Sequence, residues 1–182
     1  MSENNNASRN PAGGTKIKIL LEIKSTQNDM TGLGFFSEAA EKKDPEELLI
    51  DAGEAVGGEY VFKTEGEMEI ADRVTLSYAE TELSGLEGST TYISFAKDEP
   101  GIVTITRVSP GLRSMSFVIE AGRRNYSVYE TPYGAIDMCT YTRLVENSVA
   151  EDGGEIRMVY SVELKGLTAQ RTKMHVKVRV LD

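Results

Sequence analysis

Two arginines, two glutamates and two tyrosines near strand ends are the residues of this 182-residue chain whose types and spacing could do chemistry. Arg107 continues the face of Val103 and Ile105, and Arg113 that of Met115 and Phe117, with the turn "VSPG" between them. Because side chains alternate along a strand, both arginines are expected near one rim, on an otherwise apolar face. Glu80 ends the strand that carries Leu76 and Tyr78, and Glu130 follows Tyr129 in "NYSVYET". A rim arginine with carboxylate partners reads first as a structural ion pair. The sharper alternative is a polar anchor above an apolar cavity lined by Met115, Phe117 and Tyr129, which is how barrel pockets orient a small amphipathic ligand.

Catalytic groups of the usual kinds are scarce. Glu80 and Glu82 stand two apart, so on a strand they would share a face, as acid–base work between paired carboxylates requires. A strand end is commonly charged and solvated without any such role. His175 is the single histidine and shares its parity with Lys173, Lys177 and Arg179, so it is expected to face solvent. That setting supports neither a Ser-His-Asp nor a Cys-His arrangement, nor a conventional zinc site. Cys139, the single cysteine, alternates with Met138 and reads as an inert buried thiol. "GLGFF" lacks the lysine and the following helix of a phosphate-binding loop, and no cofactor is implied.

The elements that must position these residues read as strand after strand. In "KIKILLEIK", Ile17, Ile19, Leu21 and Ile23 share one face and Lys16, Lys18, Glu22 and Lys24 the other. "EIRMVYSVELK" places Met158, Tyr160 and Val162 on one side, and "TKMHVKVRVL" does the same with Met174, Val176 and Val178. Shorter candidates lie between, separated by "KDEPG", "VSPG", "EAGR", "TPYG" and "EDGG", each with the glycine, proline or aspartate that tight reversals need. Thr131, Pro132, Tyr133 and Gly134 fit one β-turn, which makes the flanking strands hairpin partners. Eight to ten strands at meander spacing predict an all-β, antiparallel barrel, in which closure protects the strand edges.

Two segments depart from that pattern. Residues 1–14 are too polar to repay their ordering entropy and read as a disordered tail, leaving 15–182 as one barrel domain. Residues 28–57 form an acidic insertion after the first strand, with a short helix expected in "DPEELLIDAG": Asp44 caps, Pro45 starts, and Gly53 stops it. Net charge is −9, which disfavours nucleic acid and anionic membranes at long range. A lone cysteine suits a reducing compartment, and no signal-peptide pattern or long apolar run is visible, so a cytoplasmic location is expected.

"YETPYGAIDMCTYT", followed by an acidic glycine-bearing turn and "GEIRMVYSVEL", resembles the YwiB-like family of bacterial proteins of unknown function. "LSYAETELSGLEGSTT" and "ITRVSPGLRSMSF" fit the same pattern, so the resemblance covers about residues 58–181 and the first strand at 16–24. It implies a calycin-type, lipocalin-like barrel, with a shorter connection where this chain has 28–57. It brings no catalytic residue.

The expectation is a binding module for a small apolar or amphipathic ligand, with Tyr78, Glu80, Arg107, Arg113, Met115, Phe117, Tyr129 and Glu130 as candidate site residues. A barrel packed solid, acting through its outer basic face or acidic insertion on a protein or nucleic acid, is the alternative. An enzyme using rim carboxylates and tyrosines is the third. Oligomeric state is left open.

Overall fold

The computed structural model describes residues 8–9, 14–29, 56–84, 87–109, 114–131, 134–164 and 167–181. The described chain is almost wholly antiparallel β: β1 (Ser8–Arg9), β2 (Thr15–Asp29), β3 (Val56–Ile70), β4 (Arg73–Ala79), β5 (Thr90–Ala96), β6 (Ile102–Val108), β7 (Met115–Glu120), β8 (Arg124–Thr131), β9 (Gly134–Asn147), β10 (Gly153–Leu164) and β11 (Leu167–Val180). One 3₁₀ turn, Glu82–Ser84, is the helical element among the described residues.

The strands run in the order β7-β6-β5-β4-β3-β2-β11-β10-β9-β8, with β1 paired to β2. The first and last long strands therefore lie side by side, Ile23 opposite Val176 and Leu21 opposite Val178. The two ends of this order meet at a seam between β7 and the β8–β9 hairpin. Side chains bridge it where a ladder does not: Asn125 Nδ2 and Thr140 Oγ1 both donate to the Val118 carbonyl, at 3.3 and 3.4 Å. The barrel is thus nearly closed, as the antiparallel pattern predicts.

Parity decides the interior. Ile19, Leu21, Ile23, Met158, Val162, Val176 and Val178 are buried, and Ile17, Tyr160 and Met174 pack against the same core. Leu76, Ile93, Phe95, Val103 and Ile119 complete it from the meander. Gly66 permits the tight crossing of β3 and β4: a Cβ there would meet the Ser77 carbonyl oxygen at 2.3 Å. The β3–β4 ladder runs only from Gly66 to Ile70, and residues 56–65 pair with β2 alone.

The insertion is shorter than the 28–57 expected. Asn28 and Asp29 still belong to β2, and Val56 and Gly57 to β3, because the hairpin ladder continues out to Asp29 opposite Val56. The remainder, with the helix expected at 45–52, lies outside the described residues. So does most of the expected tail, of which Ser8 and Arg9 pair with Lys16 and Thr15. The turn after β8 closes Thr131 on Gly134, making β8 and β9 hairpin partners as read.

On the outer face, β2 and β11 bring Lys24 opposite His175 and Glu22 opposite Lys177. Carboxylates neutralise much of this stripe: Lys177 and Lys63 both reach Glu22, at 3.4 and 3.3 Å, and Lys24 reaches Glu59 at 2.9 Å. His175 lies on that outer face but is held by Glu155 at 2.7 Å rather than standing free. Cys139 and Met138 are both buried, and Cys139 is an unoxidised thiol.

Candidate functional site

The inward rows of several strands change character toward one end of the barrel. On β2, Ile19, Leu21 and Ile23 give way to Ser25 and Gln27; on β11, Val178, Val176 and Met174 give way to Thr172 and Gln170. Gln170, Thr172 and Ser25 are buried, so their polar groups need partners inside the protein. Gln170 Nε2 donates to Gln27 Oε1 at 2.8 Å, and Gln27 Nε2 donates to the Tyr60 hydroxyl at 2.8 Å. The Tyr60 ring stacks on Phe62, which in turn meets Tyr78 at 6.2 Å between centroids.

Across the barrel, β4, β5 and β6 supply a charged counterpart. Arg107 Nη2 lies 3.4 Å from Glu80 Oε1, and Arg107 Nε donates to Thr91 Oγ1 at 3.3 Å. Thr91 Oγ1 donates to Glu80 Oε1 at 2.5 Å, so three residues close a triangle. Glu80 is positioned by the end of β4: its amide bonds the Ser89 carbonyl at 2.9 Å, and the chain then enters the 3₁₀ turn. That turn also separates the two carboxylates read as a pair. Glu80 is buried and Glu82 exposed, because strand parity ends at Ala79.

The charges of Glu80 and Arg107 act on the ionisation of Tyr60, Tyr78 and Tyr160 alike. Burial pushes the Tyr160 phenol up to about 12. Burial raises Tyr78 well above the usual phenol range, and the nearby Glu80 charge adds to it. Tyr60 is raised more modestly by burial, eased by Ser25 beside it. All three phenols are therefore protonated at neutral pH and can donate hydrogen bonds.

Thr142, Tyr160 and Thr172 form one rung across β9, β10 and β11. Thr142 Oγ1 and Thr172 Oγ1 are buried without a hydrogen bond. Thr172 Oγ1 stands near enough to the Tyr160 phenol to ease its ionisation, yet closes no bond to it. A buried hydroxyl left unpaired costs about 1–3 kcal/mol, so this rung is where a polar group from outside would be rewarded.

Of the residues read from the sequence, Tyr78, Glu80 and Arg107 converge here, and Met115 and Phe117 lie buried on the adjoining inner face, Met115 directly opposite Arg107. Tyr129 and Glu130 belong to β8, but their side chains, like all of Arg113, lie outside the described residues. Sequence reading missed Ser25, Gln27, Tyr60, Thr91, Thr142, Gln170 and Thr172, and took Tyr160 only as core. The signal was present: each polar residue of β2 and β11 sits in register with the apolar row preceding or following it.

Among the described residues no group of three histidine, cysteine or carboxylate side chains could hold a metal. No described helix is long and apolar enough to cross a membrane. What the arrangement offers is hydrogen bonding: protonated phenols, hydroxyls, amides and one guanidinium partly spent on a buried carboxylate.

The likeness to known proteins concerns the fold. The chain is similar to the crystal structure of the ywiB protein from Bacillus subtilis, at 19% identity, with a TM-score of 0.61 over 92% of this chain and 94% of that one. No curated protein matches it. Residues 49–176, well over half of the chain, match the domain of unknown function DUF1934, and on that match this all-β barrel belongs to the DUF1934 family.

Proposed function

We propose that the barrel is a binding module which takes a small amphipathic ligand at the polar end of its interior. The observation that carries this reading is that two of the four buried, unpartnered hydroxyls among the described residues, Thr142 Oγ1 and Thr172 Oγ1, flank Tyr160. Interiors seldom leave buried hydroxyls unpaired unless something else completes them. Arg107 contributes Nε and Nη2 to Thr91 and Glu80, and its Nη1 is available to the ligand's polar end. Met115 and Phe117 supply apolar contact beside it.

Because Arg107 is already balanced by Glu80, the ligand's head is better a hydrogen-bonding group than a full anion: a hydroxyl, amide or lactone-type carbonyl suits neutral donors around a closed ion pair. Binding is favoured over catalysis because the phenols are held protonated and the one carboxylate is committed to Arg107 and Thr91.

Native mass spectrometry of the protein purified from its source cytoplasm tests the reading. A discrete bound mass that is lost in Arg107→Ala, with the β spectrum intact, is expected. A bare protein mass, or a bound mass indifferent to that substitution and to Thr172→Val, overturns it.

A further inference from the structure

The outer face of the sheet carries a second feature, a groove whose floor includes Tyr160 and Thr172 of the interior rung but whose charged wall is separate from it. β10 bends there: its register shifts against β9 between Val159 and Tyr160, and against β11 between Val162 and Glu163. Bulges turn a strand and deepen its local twist. The outer face becomes concave at this point, forming a groove of about 370 Å³ that spans β8, β9, β10, β11 and the end of β2.

Four cations line it, Arg124, Arg143, Arg171 and Lys173, against one carboxylate, Glu163. Glu163 is consumed by Arg124, which also lies over the Tyr141 ring at 5.0 Å from its centroid. That leaves Arg143, Arg171 and Lys173 exposed and without an ion-pair partner among the described residues. The contrast with the surrounding surface is what gives this weight. The chain has 29 acidic residues to 20 basic ones, so partners are abundant. On the same outer face Lys16, Lys24, Lys63, Arg157 and Lys177 each find one. Lys18 and Arg179 do not, among the described residues; Arg179 shares its concavity with Glu22 and Glu155, and Lys18 stands alone rather than in a cluster.

We propose that this groove is a binding site for a small organic anion bearing two or three phosphates, held by Arg143, Arg171 and Lys173. Arg171 and Lys173 are two apart on one strand, about 6.6 Å, and Arg143 faces them from two strands away, about 10 Å. These spacings put three cations around one void, matching a compact polyphosphate rather than the long track a nucleic-acid strand follows. Guanidinium forks suit phosphate oxygens bidentately, and the Tyr141 hydroxyl and Ser161 add neutral donors at the groove wall.

Titration calorimetry with inorganic tripolyphosphate and with ATP, at low salt, tests this on the full chain. Saturable binding is expected. It should weaken more than about tenfold in Arg171→Glu/Lys173→Glu and in Arg143→Glu, since each removes charge-assisted bonds. Arg179→Glu, which alters net charge by as much as Arg143→Glu at an exposed site outside the groove, should change affinity little. Absence of binding by the unmodified protein, or equal weakening by Arg179→Glu, overturns the proposal. A short single-stranded oligonucleotide that binds far more tightly than tripolyphosphate would also overturn it, assigning the face to nucleic acid instead.

Discussion

Arg107 Nη2 stands 3.4 Å from Glu80 Oε1, with 16% of the arginine side chain and 2% of the glutamate side chain exposed. A pair this deeply placed pays heavily for desolvation, and only mutual attraction and the Thr91 bond offset it. Removing one partner leaves the other charge buried and alone. Arg107→Ala is therefore expected to destabilise the fold by about 3–5 kcal/mol in urea denaturation. Arg107→Ala/Glu80→Gln together should cost clearly less than the sum of the two single changes. An additive double-mutant cycle would show that the pair is not energetically coupled.

The unpartnered hydroxyls of Thr142 and Thr172 lead to an opposite sign. Thr142→Val and Thr172→Val each replace a buried, unbonded hydroxyl with a methyl of similar shape. In ligand-free protein these changes should be neutral or stabilising by up to about 1–3 kcal/mol, because the unpaired group no longer has to be desolvated. The same variants should retain less ligand. Destabilisation of the empty protein by either change would mean that its hydroxyl is satisfied after all.

Alkaline titration reads the buried phenols directly. Tyr160 is pushed up to about 12 and Tyr78 well above 10, both above the value of an unfolded chain. A raised folded-state value means that the folded protein holds its protons where the unfolded chain has lost them. This contribution to stability is thus full below about pH 10 and is lost as pH rises toward 12. Ultraviolet phenolate absorbance should show an early group of tyrosines and a late group ionising with unfolding. Tyr160→Phe should flatten the fall in stability across that window. An unchanged slope would remove Tyr160 from the late group.

Backbone crowding at the β3–β4 crossing gives the last prediction. A Cβ at Gly66 would sit 2.3 Å from a main-chain oxygen of β4, which cannot swing aside as a side chain can. Gly66→Ala is expected to cost about 1–3 kcal/mol through strain. Gly58→Ala, where nothing lies within 4 Å of the added atom, should be close to neutral. Comparable denaturation midpoints for the two variants would contradict the close approach.

Local pattern alone was enough for the strands and, where alternation is clean, for which side faces inward; it left Met138 and Cys139 undecided, and both are buried. Alternation in "KIKILLEIK" and "TKMHVKVRVL" is a property of successive residues, and burying one face of a strand leaves no freedom about its parity. Turn chemistry at "TPYG" and "EDGG" likewise acts within a few residues, so the hairpins were legible. Arg107, Glu80 and Tyr78 could be placed at strand ends on the same grounds.

What meets across the barrel could not be read this way, because it depends on strand order, tilt and register over separations as long as Gln27 to Gln170. Tertiary structure alone joined Tyr60 to Gln27, closed the Arg107–Glu80 pair, and set Tyr160 between the unpaired hydroxyls of Thr142 and Thr172. It also parted Glu80 from Glu82, since parity ends where hydrogen bonding to the next strand ends. The basic groove belongs to the same class: its cations come from three different strands, and the bulges that make the surface concave leave no local signature in the chain. Periodicity is a short-range property and determines faces; pairing is a long-range one, and only the folded barrel decides which faces look at each other.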